Sequence, residues 1–108
     1  MAYDKNNVFA KIIRGEIPCG KIAESEYSVA FNDLHPQAKT HILVIPKGPY
    51  ANILDFAENA SSAEQADFWS MVRQIADGAG IAARFRIAIN TGAPAQSVFH
   101  FHAHLLAD

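Results

Sequence analysis

The stretch HFHAH, residues 100–104, places three of the five histidines of the chain at every second position. Side chains at every second position of a β-strand point to the same face of the sheet. We therefore expect the imidazoles of His100, His102 and His104 to line one face of a strand, with the intervening apolar residues on the other. A row of polar rings lowers stability unless each ring is hydrogen-bonded. The pattern predicts an active site on one face of a β-sheet.

The first half of the chain predicts one short helix followed by three strands. Apolar residues recur on one helical face between Asn7 and Arg14, and Gly15 can end that helix. Lys21 to Glu24 and Tyr27 to Asn32 are predicted as strands joined by a turn. The nearly continuous apolar run THILVIP, residues 40–46, predicts a buried central strand.

The second half predicts one long helix and two further strands. Ser61 and Glu64 have the spacing of a capping box, so the helix should start near Ser61. Its apolar stripe consists of Phe68, Val72, Ile75, Ala76 and Ala79, and Gly78 and Gly80 should end it. Arg84 to Asn90 alternates, with Phe85, Ile87 and Ile89 predicted inward, and Ser97 to Leu106 is predicted as the last strand. We expect an α+β fold with an antiparallel sheet of about five strands.

The composition and charge of the chain exclude several classes of protein. The chain has 108 residues, enough for one compact domain, and a formal net charge of −2 without a basic cluster, so nucleic acid is not an expected partner. The single cysteine, Cys19, excludes an intrachain disulfide, and we expect it to pack. No apolar run approaches the roughly 20 residues that span a bilayer. MAYDKNN lacks a secretory signal pattern. A cytoplasmic protein without a membrane partner is expected.

The histidine row is compatible with three kinds of site. Histidines two residues apart on a strand can both bind zinc, although the nearby Asn90, Gln96 and Ser97 are neutral hydrogen-bonding groups better suited to a phosphate or sugar. Histidines on an edge strand can also be simple surface residues. A neutral imidazole can finally attack phosphorus and form a transient phospho-imidazole. The residues alone leave these alternatives open.

Four blocks in order along the chain carry a resemblance to a known family. They are VFAKIIRGEIP (8–18), AFNDLHPQAKTHILVIPK (30–47), IAINTG (87–92) and AQSVFHFHAHLL (95–106). Each resembles the matching block of the Hint branch of the histidine triad (HIT) superfamily. The resemblance implies a HIT-like fold with one short N-terminal helix and one long helix, in a single HIT domain over residues 1–108. It also implies a homodimer that binds purine nucleotides and hydrolyses nucleoside phosphoramidates and aminoacyl-adenylates, without a metal or other cofactor.

The resemblance also assigns roles to individual residues. His102 matches the nucleophile, which would form a nucleotidyl-histidine intermediate, and it is flanked by His100 and His104. His41 matches a histidine that supports the triad, and Ser97 matches a serine near the leaving group. The implied nucleotide-binding residues are Asp33 for the ribose, Phe9, Ile12 and Leu34 for the base, and Asn90 for the phosphate side. Gln96 is added to the nucleotide-binding residues because its neutral amide suits a phosphate or sugar.

Purely structural roles would also explain several of the residues assigned to the site. Phe9 and Ile12 could be ordinary core residues of an amphipathic helix, and Asp33 could be a turn residue. The family commonly has glycine where this chain has Ala95, and a positive φ there would cost alanine about 1 kcal/mol. Two residues follow Leu106, where Hint proteins usually carry a longer tail, so the leaving group stays open. The alternative functions are a dinucleoside polyphosphate hydrolase of the same superfamily, a zinc-dependent hydrolase and a nucleotide sensor.

Overall fold

A computed structural model describes residues 3–108 of the chain. Met1 and Ala2 lie outside the described residues. They are the first two residues of the predicted domain, 1–108, and of the stretch MAYDKNN, which lacks a signal pattern. The elements in chain order are α1 (Val8–Ile13), β1 (Lys21–Glu24), β2 (Ser28–Asn32), β3 (Thr40–Pro46), α2 (Ile53–Asn59), α3 (Ser62–Gly78), β4 (Arg86–Ala88) and β5 (Ala103–Ala107). The strands form one antiparallel sheet in the order β1-β2-β3-β5-β4. The predicted α+β class and five-stranded antiparallel sheet are confirmed.

Helix α1 forms where the sequence predicts it, because both of its ends are capped. The side-chain oxygen of Asn7 accepts a hydrogen bond from the Ala10 amide at 2.8 Å, which satisfies one of the free donors of the first turn. After the helix, Gly15 adopts a φ of +79°, a left-handed conformation that favours glycine. The helix buries Phe9 and Ile12 against the sheet.

Helix α3 begins with the predicted capping box. The Ser61 hydroxyl accepts from the Glu64 amide, and the Glu64 carboxylate accepts from the Ser61 amide. Phe68, Val72, Ile75 and Ala76 are buried as expected, whereas the predicted Ala79 is exposed because it caps the helix end. The seven-residue helix α2 was not predicted, and its cap is Asn52, whose side chain accepts from the Asp55 amide.

The sheet separates two apolar clusters, and the strands contribute alternate residues to each. The cluster on the α3 side contains Ala30, Ile42, Val44, Phe101, Ala103 and Leu105 from the strands and the segment before β5. The cluster on the α1 side contains Val29, Phe31, Leu43 and Ile45, together with Phe9 and Ile12. The three histidines alternate with Phe101, Ala103 and Leu105, and they lie on the α1 side, where His102 contacts the Phe9 ring.

The last strand is shorter than the sequence pattern predicts. It begins at Ala103 rather than at Ser97. The preceding backbone bonds to loops and side chains instead of a neighbouring strand: the Phe101 amide donates to the Tyr50 carbonyl at 2.7 Å, and the Val98 carbonyl accepts from Gln96. The histidine alternation persists although His100 and His102 lie before the strand.

The predicted strand from Arg84 to Asn90 is reduced to the three residues of β4. Phe85 and Ile87, predicted to point inward, are 37% and 40% exposed. The reason is that β4 is the last strand of the sheet and pairs only with β5, so this end of the sheet is incompletely covered. Strand β2 likewise begins one residue after the predicted Tyr27.

Each helix within residues 3–108 is too short or too polar to cross a lipid bilayer.

Candidate active site

His100 is the most deeply buried of the three alternating histidines, and both of its ring nitrogens have partners. Its Nε2 lies 2.8 Å from the Pro46 carbonyl oxygen, which can only accept, so the proton is on Nε2. Its Nδ1 lies 2.6 Å from the Tyr3 hydroxyl, which must therefore donate. Burial lowers the pKa of His100 to about 4, so the ring is neutral at pH 7.

His102 has one bonded nitrogen and one without a bonding partner among the described residues. Its Nδ1 lies 2.7 Å from the carbonyl oxygen of His100 and must donate to it. Burial also lowers the pKa of His102, so the ring is neutral and Nε2 carries a lone pair. The Phe9 ring packs against this imidazole edge-to-face at 4.9 Å. The side chain lines a cleft although it is only 7% exposed.

His104 is linked to His41 by a chain of hydrogen bonds that fixes both tautomers. The Gln37 amide donates to His41 Nδ1 at 3.0 Å, so the His41 proton is on Nε2. That Nε2 lies 2.9 Å from His104 Nδ1 and donates to it, which leaves the His104 proton on Nε2. Burial, together with the neighbouring His102 and His41, lowers the pKa of His104 to about 4.

A cleft of about 250 Å³ lies beside these rings, between α1 and the sheet. Seven predicted site residues line it: Phe9, Ile12, Asp33, Leu34, Ser97, His102 and His104. Its lining combines the carboxylate of Asp33 and the imidazoles of His102 and His104 with apolar side chains, among them Phe9 and Ile12. Such a lining suits a ligand that has both polar groups and an apolar body. A larger cavity of about 480 Å³ lies on the α3 side and has no histidine in its lining.

The structure places four predicted site residues away from the cleft lining. His100 is fully buried, and His41 lies behind His104, so both contact the cleft residues rather than the cleft. Gln96 is 2% exposed, and its amide bonds the Gly92 amide and the carbonyls of Ala51 and Val98. It therefore holds its own loop together and joins this loop to the backbone at Ala51.

Asn90 is exposed and is absent from the lining of this cleft. Ala95 needs no unusual backbone, because every positive φ among residues 3–108 belongs to a glycine.

Several residues of the site were missed by the sequence reasoning. Phe31, Val98 and Cys19 contribute to the apolar wall of the cleft. The alternation of Val29 and Phe31 places both on one face of β2, which packs on the α1 side, so a signal for Phe31 was present in the sequence. Tyr3 and the Gln37 backbone amide bond the histidines, and no local pattern predicts those contacts.

Asp33, His41 and His104 are the described residues best placed to hold a metal ion. One potential ligand atom from each lies within 4.8 Å of the others, and Asp33 Oδ2 is 3.5 Å from His41 Nε2. A metal on His41 Nε2 would require the ring proton to move to Nδ1, where it would face the Gln37 N–H. The hydrogen bonds around His41 therefore suit a proton better than a cation.

Comparisons with known proteins agree on one family. The sequence matches the HIT domain family over residues 14–108. A HIT-like protein of Azospirillum brasilense is 52% identical over 107 residues, covering 97% of this chain and 88% of the relative. A HIT family hydrolase from Legionella pneumophila superposes with a TM-score of 0.86 at 36% identity, covering 94% of this chain and 92% of that one. A histidine triad nucleotide-binding protein from Candida albicans gives a TM-score of 0.82 at 30% identity, covering 93% and 73%.

Proposed function

The chain belongs to the HIT domain family and has its fold, and we propose that it is a nucleotide-binding hydrolase in which His102 is the nucleophile. The observation that carries this proposal is the hydrogen bond from His102 Nδ1 to the His100 carbonyl at 2.7 Å. That bond keeps the proton on Nδ1 and directs the lone pair of Nε2 into the cleft. A neutral imidazole with a free lone pair is a competent nucleophile toward phosphorus.

The proposed substrate class is that of the Hint branch, purine nucleoside 5′-phosphoramidates and aminoacyl-adenylates. In the first step His102 Nε2 bonds to the α-phosphorus, and the bond from phosphorus to the leaving nitrogen breaks with its electron pair staying on that nitrogen. The products of this step are a nucleotidyl-histidine and an amine that needs one proton. Water then attacks the phosphorus, the bond to Nε2 breaks, and the nucleoside monophosphate is released.

His104 is the proposed hydrogen-bond donor to the transferred phosphate. Its Nε2 carries the proton, because Nδ1 accepts from His41. This N–H can donate to a phosphoryl oxygen in both steps. A water molecule gives the leaving nitrogen its proton, and the hydroxide that remains is the group that attacks the phosphorus in the second step.

The cleft offers separate places for the other parts of a nucleotide. Asp33 lies at the cleft wall, and its Oδ1 already accepts from the His35 amide at 2.8 Å, so the turn holds the carboxylate in place. Two acceptor oxygens suit the two vicinal hydroxyls of a ribose. Phe9 and Ile12 provide an apolar surface for a purine, and Leu34, 80% exposed, lies at the rim.

A homodimer formed through the β4 edge is part of the proposal. Phe85 and Ile87 are large apolar side chains that stay 37% and 40% exposed. Strand β4 also ends the sheet, which leaves one row of its backbone hydrogen-bonding groups available for another strand. A second copy of the chain could extend the sheet there and cover the apolar residues.

The decisive experiment is to trap the covalent intermediate. The protein is mixed with adenosine 5′-phosphoramidate, quenched in alkali and digested, and the adenylylated peptide is mapped by mass spectrometry. We expect the label on His102, and we expect His102→Ala to bind adenosine monophosphate without turning over the phosphoramidate. Label on another residue would refute the assigned nucleophile.

Two further arms of the same experiment address the alternative functions. Faster hydrolysis of a dinucleoside polyphosphate than of the phosphoramidate would favour that branch of the superfamily. Loss of activity with a chelator and its recovery with zinc would favour a zinc-dependent hydrolase.

A further inference from the structure

Tyr3 makes a contact that joins the start of the chain to the alternating histidines near its end. Its hydroxyl lies 2.6 Å from His100 Nδ1, and the two rings meet edge-to-face with centroids 5.7 Å apart. His100 Nε2 donates to the Pro46 carbonyl, so a neutral His100 has only an acceptor to offer on Nδ1. Burial raises the pKa of the Tyr3 phenol, which therefore keeps the proton that it donates.

His100 in turn supplies the acceptor that fixes the tautomer of His102. The carbonyl oxygen of His100 lies 2.7 Å from His102 Nδ1. The imidazole of His100 is 0% exposed and is bonded at both nitrogens, so its ring and the attached backbone are held from two sides. Removing the Tyr3 hydroxyl would leave a buried acceptor without a donor and would free one side of this ring.

We propose that Tyr3 is a positioning residue, which holds His100 so that the His100 carbonyl keeps the proton of His102 on Nδ1. The proposal rests on the function proposed for His102 and adds a residue that lies 99 positions earlier in the chain. Tyr3 itself is absent from the cleft lining, so its effect passes through His100. Small displacements of a reacting group cost large factors in rate, because attack on phosphorus requires close alignment.

The test is Tyr3→Phe, which keeps the ring contact and removes only the hydroxyl. In wild-type protein labelled with ¹⁵N-histidine, long-range ¹H–¹⁵N NMR spectra should show His100 as the Nε2–H tautomer and His102 as the Nδ1–H tautomer. In the variant, His102 should lose its single tautomer and populate the Nε2–H form. We expect kcat for a nucleoside phosphoramidate to fall about tenfold, equivalent to about 1.4 kcal/mol, with KM changed less than about twofold.

Tyr27→Phe is the matched control, because it removes a phenol hydroxyl that interacts with Glu26 away from the cleft. Both the tautomers and kcat should equal those of the wild type. Finding His100 as the Nδ1–H tautomer in the wild type would overturn the proposal, even if Tyr3→Phe failed to fold. Unchanged tautomers and kcat in Tyr3→Phe would overturn it as well. If the wild type shows the expected tautomers of His100 and His102 but does not hydrolyse the phosphoramidate, the proposed function is refuted. The positioning of His100 by Tyr3 would still stand.

Discussion

Acid should destabilise this fold through His100, and the size of the effect follows from its burial. The ring is fully buried, and burial is the largest cause that lowers its pKa from 6.5 to about 4. In the unfolded chain the same ring titrates near 6.5. Between these two values the unfolded state binds a proton that the folded state does not, so stability falls as the pH falls. The stabilisation is complete above about pH 6.5 and is lost as the pH approaches 4.

The magnitude can be worked out for a convenient pair of conditions. For one group with pKa values of 6.5 unfolded and about 4 folded, lowering the pH from 7 to 5 removes about 2 kcal/mol from the free energy of unfolding. Over the whole window the loss reaches about 3 kcal/mol. A total stability of roughly 5–15 kcal/mol makes such a change easy to measure.

Urea denaturation at pH 7 and pH 5, at one protein concentration, measures the effect. His100→Gln is the reference, because a glutamine amide can donate to the Pro46 carbonyl and accept from the Tyr3 hydroxyl without titrating. Other groups titrate equally in both proteins, so the wild type should lose about 2 kcal/mol more than the variant between the two pH values. Equal losses in the two proteins would show that the folded His100 titrates normally, which would refute the argument from burial.

Two further predictions concern the ribose site and the sheet edge. Asp33→Asn should raise KM at least about tenfold for a ribose phosphoramidate, because hydrogen bonds to a charged group contribute about 1.5–3 kcal/mol. A 2′,3′-dideoxyribose substrate should be insensitive to the change, and steady-state kinetics showing equal losses for both substrates would exclude the ribose contact. Ile87→Lys should convert a dimer into a monomer in light scattering, because it places a charge on the β4 edge. Ile22→Lys, on the opposite sheet edge, is the control, and an unchanged mass in Ile87→Lys would contradict the β4 interface.

The sequence predicted those helices and strands whose ends are set by residues close together in the chain. The capping box of Ser61 and Glu64 located the start of α3, and the apolar run from Thr40 to Pro46 coincided with β3. Helix α2 was missed because seven residues show too little periodicity, although Asn52 supplied a cap. Phe85 and Ile87 were predicted inward because alternation reports which residues share a face, and it does not report whether that face is covered.

The sequence predicted which residues belong to the candidate site better than it predicted the hydrogen bonds between them. The spacing of the histidines placed His102 and His104 beside one another, and their ring centroids lie 5.0 Å apart. The partners that set their protonation are distant in sequence, such as His41 for His104, and no local pattern reveals them. Gln96 was assigned to a phosphate or sugar from its chemistry alone, whereas its amide is bonded to the backbone of Gly92 and Ala51.

The acceptor that fixes the His102 tautomer belongs to the polypeptide backbone. Every amino acid brings the same carbonyl to position 100, so no amino-acid substitution there can delete that acceptor. A substitution at position 100 can only tilt or shift the carbonyl, and it would act on His102 through that displacement. Replacing the amide that joins residues 100 and 101 by an ester, through chemical synthesis, would weaken the acceptor without altering any side chain, and it would also remove the Phe101 N–H that donates to the Tyr50 carbonyl.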